Sequence, residues 1–161
     1  MIKNFFKKTK NNKYFQSNTY RIKSDFLKIY DLYFKNFKNK KINILEIGID
    51  TGNSLKFWKN YFSNKSNIIG IDINKYNFSE KNIFTFQGRQ EDINFLSIIT
   101  NKFKKFDIII DDGSHDCKHI IKSFKNPLIK NAGFIVMKSN FFSSAVMKTS
   151  VISSEFRKRY L

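Results

Sequence analysis

The apolar positions of this chain follow two rhythms. Over residues 20–37 they recur at intervals of three and four, through Ile22, Phe26, Ile29, Tyr30, Tyr33, Phe34 and Phe37. That spacing predicts an N-terminal amphipathic helix. Its aromatic side chains read as core packing rather than as a platform for stacked bases. Beyond Lys40-Lys41 the rhythm changes to short, nearly continuous runs of Ile, Val and Phe. Strands are predicted at 42–47, 68–73, 83–86, 106–110 and 132–137, with helices at 54–62, 91–102 and 115–124 between them. Strands that alternate with helices pair in parallel through right-handed crossovers. Runs without polar alternation suit a sheet covered on both faces. The expected fold is therefore α/β: a Rossmann-like, doubly wound, mostly parallel sheet of about five strands behind the N-terminal helix.

Residues 1–20, polar and rich in Asn and Lys, read as a loose basic arm. The folded domain is expected over 21–140, and 141–161 reads as a divergent basic tail in which 146–152 is the one strand candidate.

The polar residues gather where the strands end, which is where open α/β sheets bind ligands. After the first strand, Gly48-Ile49-Asp50-Thr51-Gly52-Asn53-Ser54 forms a glycine-containing turn into a helix. Such a turn lets backbone approach a ligand and presents free N–H groups to an anion. Asp50 argues against a pyrophosphate there, because its charge would repel phosphates. Asp72 ends the second strand about twenty residues after the turn, the usual place for an acid that takes ribose hydroxyls; a surface turn cap is the alternative. After the third strand, Gln90 or Asp92 could bond an adenine edge, and Asp92 suits a helix N-cap equally well. The fourth strand ends in Asp111-Asp112-Gly113-Ser114-His115, with His119 one helical turn on. That cluster reads either as a turn with a helix cap or as the centre of a site.

Charge changes this picture little. The 161 residues carry a formal +17, yet residues 1–41 hold +10 and 141–161 a further +3, leaving +4 for the strand region. Only 4 of the 30 basic residues are Arg, the residue that makes most bidentate phosphate contacts. Abundant Lys, Asn, Ile and Phe together match coding sequence rich in A and T. Nucleic acid is thus a partner the basic arm allows and the strand ends do not favour. One cysteine, Cys117, precludes an internal disulfide, and no apolar run reaches the length of a membrane span. The basic N-terminus lacks the apolar core of a secretory signal, so a cytoplasmic location is expected. Homo-oligomerisation is left open.

The strand-end wording resembles the class I S-adenosylmethionine-dependent methyltransferases, in particular the macrocin/mycinamicin sugar O-methyltransferases and the cephalosporin-hydroxylase-like group. Leu45-Glu46-Ile47-Gly48, Gly52-Asn53-Ser54-Leu55, Ile69-Gly70-Ile71-Asp72, Gly88-Arg89-Gln90-Glu91-Asp92 and Asp111 to His115 with His119 follow that family's order through residues 42–137. The resemblance implies S-adenosylmethionine as cofactor and a small-molecule or saccharide hydroxyl as acceptor. It places Glu46, Gly48 and Gly52 along the methionine and ribose, Asp72 on the ribose hydroxyls, and Gln90 and Asp92 near the adenine. Asp111 joins this cofactor-binding set. Asp112 corresponds to a ligand of a divalent metal, normally magnesium, and His115 to the general base.

One stretch departs from the pattern. The family commonly ends its fifth strand in a Glu-Asp pair that completes the metal site, and here Lys138-Ser139 stand in its place. A lysine there opposes a magnesium site built from several carboxylates. Arg89 likewise replaces an acid the family often shows near the adenine. Only 22 residues follow Ser139, fewer than the further helix and β-hairpin these enzymes usually add. Three functions follow in order: O-methyl transfer to a small molecule or saccharide, a degenerate or truncated methyltransferase fold serving as a cofactor-binding or assembly module, and methylation of RNA or DNA.

Overall fold

Branched side chains pack well on a pleated surface, and the Ile-rich runs become the strands of one sheet. These are β1 (Asn43–Ile47), β2 (Asn67–Asp72), β3 (Ile83–Gln87), β4 (Ile108–Asp111), β5 (Phe134–Lys138) and β6 (Thr149–Ser153), with helices α1 (Asn53–Tyr61) and α2 (Ile93–Phe103). The structure, a computed structural model, describes residues 30–114, 116, 118–119, 122–123, 132–138 and 149–153, the strands β5 and β6 as backbone. The sheet order is β3-β2-β1-β4-β5-β6. The first five strands pair in parallel, and β6 pairs antiparallel to β5.

Each face has its own core. Ile44, Ile68, Ile108 and Ile110 point to one side, beneath Leu55 and Trp58 of α1 and beside Tyr30 and Phe34. Leu45, Ile47, Ile69, Ile71 and Ile109 point to the other, beneath Leu96 and Ile99 of α2. Helices on opposite faces make the sheet doubly wound, as the alternation predicts. Tyr30 and Phe34 are buried and pack around Trp58, as core-facing aromatics should, whereas Tyr33 is exposed. Of the predicted 20–37 helix, residues 30–34 are helical and pass into a 3-10 turn at Lys35–Phe37; residues 20–29 lie outside the described residues. Tyr61 donates from its hydroxyl to Asp31, tying this segment to α1. Among the described residues no helix is long and apolar enough to cross a membrane.

Two strand expectations need correction. The predicted 106–110 strand begins later and ends later, at Ile108–Asp111, so the first acid of the Asp-Asp cluster belongs to the strand itself. Phe106 is buried just ahead of it, and Asp107 instead accepts the Asn43 N–H at the foot of β1. The sheet also does not stop at β5. Thr149–Ser153, within the stretch read as a tail, runs from Lys138↔Thr149 to Phe134↔Ser153 and covers the edge of β5. Its two apolar residues, Val151 and Ile152, are framed by Thr and Ser. The candidate read at 146–152 overlaps this strand; its apolar run is short, and pairing with an open edge supplies what intrinsic preference lacks.

Candidate active site

The register brings the carboxyl ends of the central strands level: Ile47 lies opposite both Ile71 and Asp111, and Asp72 opposite Gln87. Every candidate residue with a described placement other than Glu46 lies at or just past this rim. The turn after β1 is its centre. Gly48, Asp50 and Gly52 adopt left-handed φ values of 78°, 45° and 73°, which coil the chain tightly from β1 into α1. Glycine carries no penalty in that region, and Asp tolerates it better than most residues.

What the two glycines make room for differs from the expectation of a ligand alone. A Cβ on Gly48 would lie 2.5 Å from the Asp112 carbonyl oxygen and from the Gly113 Cα. The missing side chain lets the β1 turn close against the turn after β4. A Cβ on Gly52 would lie 2.0 Å from Cζ of Phe78, whose ring rests on the turn. Phe78 belongs to the segment between β2 and β3, held also by the Lys56–Glu80 ion pair at 3.3 Å. No motif in the sequence marks Phe78 as part of the site.

Asp72 is built into the same turn. Its Oδ2 accepts the N–H groups of Ile49 (3.0 Å) and Asp50 (3.2 Å), and its Oδ1 accepts that of Asn74 (2.9 Å). A carboxylate offers about four acceptor positions, so these three leave one for a ligand hydroxyl. Beside it, α1 starts at Gly52 without a side-chain cap. Ser54, in the first turn of that helix, is 2% exposed, and its hydroxyl has no hydrogen-bond partner among the described residues. Ser54 stood in the quoted Gly-Asn-Ser-Leu wording without a role; a small hydroxyl residue just inside an uncapped helix start was the available signal. Glu46 is fully buried in the middle of β1, in register with Gly70 and Ile110. A vacant carboxylate position, an uncapped helix start and a buried hydroxyl are chemistry that fits the hydroxyls and amino-acid end of S-adenosylmethionine.

The turn after β3 does a different job. Gln90, read as a contact to adenine, is 6% exposed, and its side chain is engaged within the protein. Its Oε1 accepts the Ser114 N–H at 2.7 Å, and its Nε2 donates to Ser123 Oγ at 3.1 Å. Asp92 caps α2, accepting the N–H groups of Asn94 and Phe95 at 2.9 and 3.1 Å. Arg89 donates to Glu91 at 2.7 Å, and the same carboxylate oxygen lies 3.8 Å from Nε2 of His119. Partial burial pushes the Glu91 carboxyl up, but the Arg89 hydrogen bond and the charges of His119 and Arg89 outweigh it and hold the group below its ordinary value.

Asp111 is 5% exposed, and its Oδ1 accepts the Gly113 N–H at 3.2 Å. Asp112 is half-buried, with its N–H bonded to the Ile47 carbonyl. His115 lies outside the described residues, as do Cys117 and Ser139. Among the described residues no group of three or more His, Cys, Asp or Glu side chains could hold a metal ion. The ring of His119 is occupied by Ser114 on one side and faces Glu91 on the other, so it offers Asp112 no help as a ligand. Lys138 follows Met137, the residue opposite Asp111 in β5. Among the described residues, this donor set does not fit a magnesium ion.

A doubly wound sheet with an antiparallel last strand, a glycine turn after β1 and an acid closing β2 is the architecture of a class I methyltransferase. The comparisons agree: the chain has this fold and is similar in sequence to O-methyltransferases. No family model matches it. Over 123 residues it is 35% identical to the 8-demethyl-8-(2-methoxy-alpha-L-rhamnosyl)-tetracenomycin-C 3'-O-methyltransferase of Streptomyces olivaceus, a match covering 70% of this chain and 31% of that protein. Over 119 residues it is 37% identical to the mycinamicin VI 2''-O-methyltransferase of Micromonospora griseorubida, covering 68% and 30%. Among solved structures, the MycE methyltransferase of the mycinamycin pathway, in complex with Mg, SAH and mycinamycin VI, superposes with a TM-score of 0.65 at 35% identity, over 70% of this chain and 33% of that one. The chain thus spans under a third of the length of these curated relatives.

Proposed function

We propose that this chain carries S-adenosylmethionine-dependent O-methyl transfer to a hydroxyl of a small molecule or saccharide. The observation that carries the reading is the cradle at the end of β1 and β2, where Asp72 keeps one acceptor position beside the buried Ser54 hydroxyl. The curated relatives, named as O-methyltransferases of rhamnosyl-tetracenomycin and mycinamicin, support the acceptor class.

In this reading Asp72 accepts a ribose hydroxyl, and the Ser54 hydroxyl with the uncapped start of α1 receives the amino-acid end. Glu46, Gly48 and Gly52 shape the floor beneath, and Gln90, Asp92 and Asp111 fix the adjoining turns. When bound, S-adenosylmethionine supplies an electrophilic sulfonium methyl that the acceptor oxygen takes up. His115 is the general base that receives the acceptor's hydroxyl proton, a role that suits an imidazole near neutral pH. Asp112 lies three residues ahead of it in the sequence, in the turn after β4. No step is routed through magnesium, whose ligand set is not met among the described residues. The domain doing this work is residues 21–140 extended by β6.

A second reading, a cofactor-binding module without transfer, is favoured by Lys138 at the end of β5. Calorimetric titration with S-adenosylmethionine and S-adenosylhomocysteine, with and without magnesium, tests the shared part. Transfer of radiolabelled methyl to rhamnosylated macrolide or polyketide acceptors separates the two. Binding with transfer supports the enzyme, binding without transfer the module, and no heat from either ligand refutes both.

A further inference from the structure

Two neighbouring residues of the turn after β3 grip one residue of the turn after β4. Gln90 takes the Ser114 main chain directly, N–H to Oε1 at 2.7 Å. Glu91 reaches the Ser114 side chain through a histidine: Ser114 Oγ lies 2.9 Å from His119 Nδ1, and His119 Nε2 lies 3.8 Å from Glu91 Oε1. Arg89 donates to the same Glu91 oxygen at 2.7 Å and so holds it in place. The imidazole is therefore neither a surface side chain nor a spare ligand. It bridges the two turns, one of which carries Asp112 and leads directly into His115.

The chemistry assigns the ring protons. A carboxylate only accepts, so the nitrogen facing Glu91 is the one that carries hydrogen. In the neutral ring the other nitrogen then accepts, and Ser114 donates its hydroxyl to Nδ1. The Ser114 oxygen in turn accepts the Asp116 N–H at 3.2 Å, which completes its bonding.

We propose that His119 is a positioning residue: its ring, held between Glu91 and Ser114, fixes Ser114 and so sets the turn that follows Asp112. The activity side of this inference rests on the transferase reading above; the tautomer and the grip on Ser114 do not.

The test uses the full chain and the variants His119→Ala, His119→Asn and Glu91→Gln. Long-range 1H–15N spectra of the imidazole should show hydrogen on Nε2, the nitrogen that faces Glu91. His119→Ala should speed exchange of the Ser114 amide by roughly tenfold, the worth of one hydrogen bond. His119→Asn places an acceptor oxygen near the Nδ1 position and should bring exchange back to within about threefold of the parent protein. Affinity for S-adenosylhomocysteine should stay within about threefold in both variants, because the cradle at Asp72 is untouched, while kcat falls in His119→Ala and KM for S-adenosylmethionine does not. In Glu91→Gln the amide can donate as well as accept, so the preference for hydrogen on Nε2 should weaken. An Nε2 that carries no hydrogen in the parent protein, or an asparagine variant no better than alanine, overturns the assignment. If the parent protein binds no S-adenosylhomocysteine, the transferase reading fails, and the tautomer and exchange data still decide the role of His119.

Discussion

Gly52→Ala should be costly for a reason that a second substitution can remove. The backbone sits at φ 73°, where an alanine loses roughly 1 kcal/mol. The new Cβ would also stand 2.0 Å from Phe78 Cζ and 2.8 Å from its Cε2, so the ring must leave. Phe78 is half-buried against the aromatic core beside α1, and about half the burial worth of a phenylalanine is about 1 kcal/mol. The single variant should therefore lose about 2 kcal/mol, and its melting temperature should fall by roughly 4–8 °C for a chain of this size. With Phe78→Ala already in place the collision is gone, and the same glycine change should cost only the backbone part, about 1 kcal/mol. The coupling between the two sites is thus about 1 kcal/mol and favourable in the double variant. Trp58, the single tryptophan and 1% exposed, gives an intrinsic fluorescence reading of urea unfolding for all four proteins. If Gly52→Ala costs the same with and without the Phe78 ring, within about 0.3 kcal/mol, the ring is not the reason for the glycine.

Asp72→Ala removes the acceptor of three backbone N–H groups as well as the vacant ligand position, so calorimetry should show no binding of S-adenosylhomocysteine; retained affinity would remove Asp72 from the cofactor site. Asp31 provides a pH test. Burial by itself would raise its carboxyl, but hydrogen bonds from Lys38 and Tyr61 and the charges of Lys38 and Lys35 bring it below its ordinary value. A carboxyl lowered on folding stabilises above its unfolded value, roughly pH 4, and that stability fades as pH falls through the folded value. Asp31→Asn should thus lower the melting temperature at neutral pH and converge on the parent below about pH 4. A difference that ignores pH would mean the charge is not what matters.

The parallel core was legible because its strands are nearly pure runs of Ile and Phe, and a sheet buried on both faces needs no other signal. Ends were less legible. Asp111 belongs to β4 because an acid can finish a strand when a neighbouring turn supplies its partner, here the Gly113 N–H. Thr149–Ser153 was legible only as the strand candidate at 146–152, with its bounds and its partner unread, because its pairing comes from the open edge of β5, and edges are not written in a local pattern. At the rim, residue types indicated chemistry but not partners. Asp92 was readable as a cap because its partners lie two and three residues ahead. Gln90 was not, because Ser114 and Ser123 lie 24 and 33 residues away. Phe78 carried no signal of any kind, since its role follows from where the segment before β3 happens to cross the glycine turn.

The strand order has a consequence for how the chain is made. β1 leaves the ribosome ahead of the other strands, yet it ends in the middle of the sheet, between β2 and β4. Its partner on one side is 24 residues away and on the other 64, as the Asn67–Asn43 and Asn43–Asp107 hydrogen bonds record. The extra closure entropy of the longer loop is small, under about 1 kcal/mol, so waiting time rather than stability separates the two events. At synthesis rates of about 5–20 residues per second, that interval lasts several seconds. Throughout it a strand whose apolar side chains are buried on both faces of the sheet has one edge paired and one open, the arrangement most prone to pairing with a stranger. Newly made chains of this protein should therefore depend on a chaperone between the emergence of β2 and β4 far more than the finished sheet does.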